Sequence, residues 1–304
     1  EYFDFDNDSD LDLIIGTDFD PTDFPWVGKL VLFENIGLDE NNEPVWLLLD
    51  DSYLGEELGN NLSPVTVDID NDNDFDLFVG NFNGTIHFYE NIGDEENPIY
   101  EFVELLSNID LSGYSSPEFL DMDNDDDYDL LVGNMNGNIF FYENIGDIYN
   151  YDFQLNDANF QNINVGTRSM PLGYDYDGDG DLDLLIGSGS NDIICYENTG
   201  NFTFYYNESE SLYNLGKNSS PELYNSLNHR GLVVGLSTGG MYYINQCNFD
   251  FNNDTSINIV DVIILVNYII DPQSNDVNNC YDINNDFEVD ILDVVGLVDY
   301  IFAN

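Results

Sequence analysis

A nine-residue acidic frame, written four times in one register, constrains this chain more than any other feature. One copy runs Asp175-Tyr176-Asp177-Gly178-Asp179-Gly180-Asp181-Leu182-Asp183, with a carboxylate at every odd position. The others place theirs at Asp4, Asp6, Asp8, Asp10 and Asp12, at Asp68, Asp70, Asp72, Asp74 and Asp76, and at Asp121, Asp123, Asp125, Asp127 and Asp129. Carboxylates this close repel one another unless a cation sits among them. Hard cations such as Ca²⁺ take roughly six to eight oxygen ligands, which Asp side chains and a backbone carbonyl can supply. Each copy runs at once into a short apolar stretch ending in Gly16, Gly80, Gly133 or Gly187, read as a buried strand. One such loop would read as a solvated acidic turn; four in register, each feeding a strand, read as cation sites.

The match extends beyond the acids. Pro64, Pro117 and Pro171 each stand four residues before the first Asp of their copy. After the apolar run come a Gly-containing turn and a second strand, expected over Lys29 to Asn35, Thr85 to Asn91, Asn138 to Asn144 and Asp192 to Asn198. Each closes on Glu-Asn, with Gly37, Gly93, Gly146 or Gly200 two residues after the Asn, a step that supplies turn conformations. A less regular segment, such as Phe153-Gln154-Leu155, reads as an outer strand. The first copy carries an insertion around Asp18 to Gly28, read as a surface loop bearing Trp26. A fifth copy follows Pro221. It keeps Leu232-Val233-Val234-Gly235 and Met241 to Asn245 but has Asn225, Leu227 and His229 where acids are due, so no cation is expected there. About four short strands per period of this length are the signature of a β-propeller. Five blades are expected, the last without its outer strand. The chain starts inside a repeat, which fits a larger ring cut at its N-terminus better than a closed five-bladed one.

Composition supports a folded chain outside the nucleic-acid and anionic-membrane classes. The net charge is −57 with four Lys plus Arg, yet 42% of residues are hydrophobic, with 21 Tyr and 21 Phe. A disordered acidic tail lacks such aromatics, and such a field repels polyanions. About six divalent ions would cancel only about twelve charges. The remaining excess reads as a solubility feature or as adaptation to salt. No apolar run reaches the length of a membrane span.

The Asp-x-Asp-x-Asp-x-x-x-Asp-Leu loop, the Gly after the following strand and the Phe-Tyr-Glu-Asn-x-Gly closure resemble FG-GAP/VCBS repeats, the blades of integrin-α-type propellers. The resemblance covers residues 1–245. It implies Ca²⁺ held by the first, third, fifth and ninth side chains and by the seventh carbonyl: Asp175, Asp177, Asp179, Asp183 and Asp181 in the fourth copy, and likewise in the other three. Positions four and six, often Gly in that family, are Asn7 and Ser9, Asn71 and Asn73, and Asn124 and Asp126. Asn and Asp tolerate the left-handed region less readily than Gly, so affinity is expected to differ between blades.

The pattern changes in residues 246–304. Asp250, Asn252, Asp254, Ser256, Asn258 and Asp261 stand at positions 1, 3, 5, 7, 9 and 12 of a loop, and Asp282, Asn284, Asp286, Glu288, Asp290 and Asp293 repeat it 32 residues later. Such loops bind Ca²⁺ in EF-hands. Helices are expected after each, Val262 to Ile270 and Val294 to Phe302. Two loop-helix units at this spacing resemble a type I dockerin, which implies two Ca²⁺ ions and a cohesin partner. Position 6 is Thr255 and Phe287 rather than Gly, and positions 10 and 11 are Ile259-Val260 and Ile291-Leu292 rather than small hydroxylated residues. A small calcium-stabilised cap on the propeller is the plainer alternative. Cys247 and Cys280 sit upstream of the loops in matching places, as a disulfide in an oxidising exterior or as two buried thiols. Cys195 reads as a core residue.

No catalytic constellation is visible. Nucleophile elbow, zinc signature and phosphate loop are all lacking. His87 falls on a strand in a structural register, and His229 with Arg230 in the fifth copy reads as a ligand contact or a substitute for the lost cation. The sequence therefore predicts a mainly β chain: an FG-GAP/VCBS propeller over 1–245, with about four Ca²⁺, and a small helical dockerin-like domain over 246–304, with about two. Its expected role is a secreted or cell-surface recognition or adhesion protein whose partner is a cohesin-like module or an extracellular glycan or protein. The alternative is a polysaccharide-degrading enzyme or accessory subunit anchored through the dockerin.

Overall fold

A computed structural model of the chain describes residues 1–18, 27–39, 44–55, 58–94, 97–106, 109, 111, 113–176, 180–190, 192–200, 202–212, 215–226, 229–237, 241–245, 259–270, 289 and 291–303. Two compact units are present: Glu1–Leu223 with Val233–Tyr242, and Tyr224–Leu232 with Tyr243–Asn304.

Four antiparallel four-stranded sheets follow one another, each in up-and-down order. The first comprises β1 (Tyr2–Phe3), β2 (Asp12–Gly16), β3 (Leu30–Leu38) and β4 (Pro44–Tyr53). The second has β5 (Ser63–Val67), β6 (Asp76–Gly80), β7 (Ile86–Asn91) and β8 (Tyr100–Leu105). The third has β9 (Ser115–Leu120), β10 (Asp129–Asn134), β11 (Ile139–Asn144) and β12 (Phe153–Asp157). The fourth has β13 (Ser169–Tyr174), β14 (Asp183–Ser188), β15 (Ile193–Asn198) and β16 (Phe204–Leu212). A three-stranded sheet follows, β17 (Ser220–Ser226), β18 (His229–Gly235) and β19 (Met241–Asn245).

The arrangement is that of a propeller with four blades, which corrects the expectation of five. Among the described residues the fifth copy supplies three strands and no outer one, and past Asn245 the sequence leaves strand alternation for loop-helix units. Residues of the described strands otherwise fall where the period places them. Cys195 is 2% exposed on β15, as a core residue should be. Trp26, Cys247 and Cys280 lie outside the described residues, as do the side chains of His229 and Arg230.

The second strand of each blade has an apolar centre, and in the second to fourth blades both of its faces are covered. Leu77, Phe78 and Val79 have no exposed surface, nor do Leu130, Leu131 and Val132, nor Leu184, Leu185 and Ile186. The core lies between blades rather than within them. Ile14, Leu30 and Leu32 of the first blade pack with Leu77 and Val79 of the second. Phe78 and Phe88 stack at 4.5 Å, and Phe119 of the third blade closes on Phe78 at 4.6 Å. Leu131 and Ile139 continue the pattern against Leu184 and Ile186.

The glycine that ends each apolar run is required by the next blade. A Cβ on Gly16 would stand 2.1 Å from the Leu62 carbonyl oxygen. The same atom would meet Ser115 O at 2.3 Å from Gly80, Ser169 O at 2.1 Å from Gly133 and Ser219 O at 2.0 Å from Gly187. The repeated Pro completes the seam, with Cδ of Pro64, Pro117 and Pro221 at 2.6 to 2.8 Å from those Cβ positions. On an innermost strand the missing N–H of Pro costs no ladder bond. Ser115, Ser169 and Ser219 stitch the seam: their hydroxyls donate to the carbonyls of Thr85, Asn138 and Asp192 at 2.8, 2.6 and 2.9 Å.

The innermost strands surround a central cavity of about 540 Å³. The residue after each repeated Pro lines it: Val65, Glu118, Leu172 and Glu222, with Glu1 at the equivalent place in the first blade. Enclosure by protein raises the Glu118 carboxyl well above its ordinary range, opposed by the Gly173 N–H that it accepts at 2.8 Å and reinforced by Glu222 and Glu1.

In the second unit, α1 (Ile259–Ile270) and α2 (Ile291–Ala303) pack through Val262, Leu265 and Leu297, flanked by Val266, Ile269, Val294, Val298 and Ile301. Both helices start three residues before the expected Val262 and Val294. Asp261 and Asp293 therefore sit in the first turns, fully buried, where the helix dipole favours negative charge.

Two outcomes are expected. Gly133→Ala lowers stability by about 2–3 kcal/mol through overpacking, whereas Gly235→Ala, whose Cβ meets nothing nearer than 3.9 Å, leaves it nearly unchanged; thermal melts compare them. For Glu118, the unfolded chain releases its proton near pH 4.3 and the folded chain only at higher pH. Stability is therefore lost as pH rises above about 4.3. Glu118→Gln, which keeps the acceptor for Gly173, flattens that decline in denaturant titrations between pH 5 and 8; an unchanged slope contradicts it.

Candidate metal centres

Each acidic frame bridges the first and second strands of its blade. The first Asp is the hub of the curl. Asp4 accepts the N–H groups of Asp8 and Ser9 at 3.1 and 2.9 Å, and Asp68 those of Asp72 and Asn73, both at 3.1 Å. Asp121 accepts from Asn124, Asp125 and Asp126 at 2.7, 3.2 and 3.1 Å. The fifth-position side chains of Asp8, Asp72 and Asp125 accept the N–H two residues on. Positions four and six are left-handed, as their composition suggested: Asn7 and Ser9 at φ 56° and 76°, Asn71 and Asn73 at 57° and 74°, Asn124 and Asp126 at 62° and 72°. Gly180 holds the sixth position of the fourth loop at 95°.

This winding gathers the first three odd positions. Ligand-type oxygens of Asp4, Asp6 and Asp8 lie within 4.8 Å of one another, as do those of Asp68, Asp70 and Asp72, and of Asp121, Asp123 and Asp125. The seventh-position residues Asp10, Asp74 and Asp127 are not part of these triads. Asp177 and Asp179 of the fourth loop lie outside the described residues, between Asp175 and Asp181. So do Asp250, Asn252, Asp254, Ser256, Asp282, Asn284, Asp286 and Glu288.

The residues present fit a hard cation. Oδ1 of Asp6 and of Asp70 is buried without a hydrogen-bond partner among the described residues, and so is Oδ1 of Asp74 and of Asp127. The last two side chains are themselves only 8% and 5% exposed. Buried unpaired oxygens are expensive. Burial and the neighbouring Asp72 or Asp125 push the Asp74 and Asp127 carboxyls up to about 6. Asp6, Asp70 and Asp123 shift upward for the same two reasons, with Glu90 adding to the field at Asp70 and Glu143 at Asp123.

The ninth position does a second task that sequence reasoning missed. Asp12, Asp76, Asp129 and Asp183 are each 1–2% exposed. One oxygen of each accepts the N–H of the Asn at or near the end of the third strand: Asn35 at 2.7 Å, Asn91 at 2.8 Å, Asn144 at 2.7 Å and Asn198 at 2.8 Å. The other oxygen takes the N–H of loop position two, from Phe5 at 2.8 Å, Met122 at 3.1 Å and Tyr176 at 3.0 Å. The Asn side chains then cap Gly37, Gly93, Gly146 and Gly200 at 3.0 to 3.2 Å. The Glu-Asn-x-Gly closure and the acidic loop are thus one hydrogen-bonded unit. The signal available was their co-occurrence in every copy. Burial raises the Asp76 and Asp129 carboxyls to about 7 and Asp12 to about 6, against the two N–H bonds that lower them.

In the second unit Asp261 and Asp293, the closing positions of the two twelve-residue loops, are the described members of the expected ligand sets. Residues 248–302 match the family model of the dockerin type I domain. Domains of this type bind calcium, and the domain occupies the part of the chain where α1 and α2 pack together. No curated protein matches the chain.

The two roles within an acidic loop are separable. Asp129→Ala strands the N–H groups of Asn144 and Met122 and is expected to destabilise the protein by about 2–4 kcal/mol with or without chelator. Asp123→Ala is expected to lower the melting temperature in calcium and to leave it unchanged in chelator. Differential scanning calorimetry in both conditions reads the difference.

Proposed function

We propose that this chain is a calcium-dependent recognition protein of an extracellular assembly. Its propeller is of the FG-GAP/VCBS type, with a Ca²⁺ ion in each of the four acidic loops. Its dockerin domain carries two more and docks to a cohesin-type partner. The proposed ligand sets are those of the sequence: positions one, three, five and nine by side chain and seven by carbonyl in the propeller. In the dockerin domain they are Asp250, Asn252, Asp254, Ser256 and Asp261, and Asp282, Asn284, Asp286, Glu288 and Asp293. In this reading calcium neutralises each loop and fixes the strand that follows, so that folding is coupled to metal.

One observation carries the docking role. The two helices expose the same apolar surface at positions 32 residues apart. Ile259 and Ile291 are 65% and 63% exposed, Val260 and Leu292 42% and 54%, and Ile263 and Val295 52% and 51%. Large apolar side chains exposed in matched sets mark an interaction surface. Their apolar character suits a partner whose complementary face is apolar rather than hydroxyl-lined.

The second reading, a polysaccharide-degrading enzyme or its accessory subunit, draws on the carboxyl groups of Glu1, Glu118 and Glu222 along the central cavity. Paired carboxyls serve glycoside hydrolysis. Release of reducing ends or unsaturated products from soluble polysaccharides would favour it over recognition.

The docking reading is tested by surface plasmon resonance against a panel of immobilised cohesin modules. Binding is expected in calcium and lost in chelator. The double variant Ile259→Asp with Ile291→Asp is expected to weaken it at least tenfold with the calorimetric calcium count unchanged. Absence of binding to every module, or indifference to the double variant, overturns it.

A further inference from the structure

Just before the starts of the inner strands, the end opposite the acidic loops, the central cavity has a rim of four residues in one register. Asn61, Tyr114, Arg168 and Asn218 each stand three residues before a repeated Pro. All four line the cavity, and all are left-handed, at φ 50°, 57°, 46° and 51°. For Tyr and Arg this backbone is strained, and such strain persists where surrounding structure enforces it. Here the preceding blade enforces it: Asn61 N–H donates to Asp18 O at 2.9 Å, Tyr114 N–H to Phe82 O at 2.7 Å and Arg168 N–H to Met135 O at 3.1 Å.

The side chains form a connected set. Arg168 Nη2 donates to Asn61 Oδ1 at 3.0 Å, and the guanidinium lies 5.4 Å from the centre of the Tyr114 ring. Asn61 Nδ2 in turn donates to Asp18 Oδ1. A guanidinium has five N–H donors, and among the described residues Arg168 uses one. The Asn218 side chain makes no hydrogen bond among the described residues, and Ser237 completes the rim beside it.

Charge singles out this end of the propeller. The chain has four basic residues, Lys29, Arg168, Lys217 and Arg230, and three of them flank the rim. The backbone of Lys29 pairs with Thr17 at 2.8 and 3.0 Å, and the carbonyl of Lys217 accepts from Ser237 at 2.9 Å; Thr17 and Ser237 both line the opening. Tyr114 and Asp121 are joined by one extended strand, so rim and acidic loops lie about 23 Å apart. That is well beyond the screening length of about 8 Å at physiological salt. An anion at the rim therefore meets Arg168 and not the acidic ladders.

Asp18, bonded to the same Asn61 side chain that Arg168 holds, argues against a ligand that is anionic throughout. It accepts hydroxyl donors, as do the Glu1, Glu118 and Glu222 carboxyls deeper in. A ligand pairing one carboxylate with several hydroxyls satisfies both. The volume, about 540 Å³, suits a short oligosaccharide.

We propose that the rim formed by Asn61, Arg168 and Asn218 binds a uronic-acid residue of an acidic oligosaccharide, with its carboxylate on the Arg168 guanidinium. This deepens the recognition role proposed above and does not involve the dockerin domain. The test is titration calorimetry of the full chain in saturating calcium, with trigalacturonate and with a glucuronate-substituted xylotriose as probes. At least one is expected to bind, and its methyl ester and the matching neutral trisaccharide at least tenfold more weakly. Arg168→Asn tolerates the left-handed backbone and removes the guanidinium; it is expected to weaken the acidic probe at least tenfold, and Arg168→Lys less. Asn218→Gly, away from the Arg168 bonds and compatible with the left-handed backbone, is expected to reduce affinity for acidic and neutral sugars alike. All three variants should keep near-wild-type melting and cohesin capture, which separates loss of this site from loss of the docking reading. Binding of neither probe, equal binding of their neutral counterparts, or equal or tighter binding of a glutamate hexapeptide overturns the proposal.

Discussion

The buried Asp at the end of each acidic loop is the interaction on which each blade depends. Its two oxygens take one N–H from the loop and one from the end of the third strand. A single side chain thereby fixes the curl before the second strand and the place where the third strand stops. Burying a carboxylate this deeply is unfavourable unless its lone pairs are used. Two N–H donors satisfy part of that need, and a divalent cation in the adjoining loop would satisfy more. In the proposed calcium loops, metal affinity and blade stability would therefore share one group.

The blades join by close backbone approach rather than by large interlocking side chains at the seam. Gly16, Gly80, Gly133 and Gly187 leave room for the carbonyl of the next inner strand. Serine hydroxyls tie three of these seams, and at the first seam Leu62 occupies the serine position and joins the apolar core. The aromatic content of the chain then fills the wedge farther from the axis, as Phe78, Phe88 and Phe119 do between the second and third blades. Because each inner strand is anchored to the blade before it, residues just upstream are held in an otherwise unfavourable left-handed form. The same anchoring that builds the propeller shapes its rim.

Charge is distributed by the direction of the inner strands. Their ends lead into carboxylate loops, and Arg168 and Lys217 stand just before the starts of two of them. In a molecule with net charge −57, Arg168 stands in the cavity lining at the end away from those loops. The dockerin domain contributes a different kind of surface, apolar and duplicated over 32 residues by two helices. The proposed ligand recognition and the proposed docking thus rest on different chemistry in different units.

The acid frames, the apolar runs, the Asn closures and the paired loop-helix units were legible because each depends on local spacing: strands alternate, loops need turn formers, and ligands cluster within a dozen residues. The triads Asp4-Asp6-Asp8, Asp68-Asp70-Asp72 and Asp121-Asp123-Asp125 follow from that spacing, and the left-handed Asn7, Asn71 and Asn124 from side-chain chemistry. The blade count did not follow, since five copies of the pattern give four four-stranded blades among the described residues. Nor did the bond from Asp129 to Asn144, the need for Gly133 beneath Ser169, or the meeting of Asn61 with Arg168. Each of these joins residues separated by 15 to 107 positions. Sequence alone determined the repeating unit and its acidic chemistry, because both are written in short-range pattern. Only the tertiary structure decided how copies abut and what their equivalent residues build around the axis, because those contacts exist only after the chain has wound into blades.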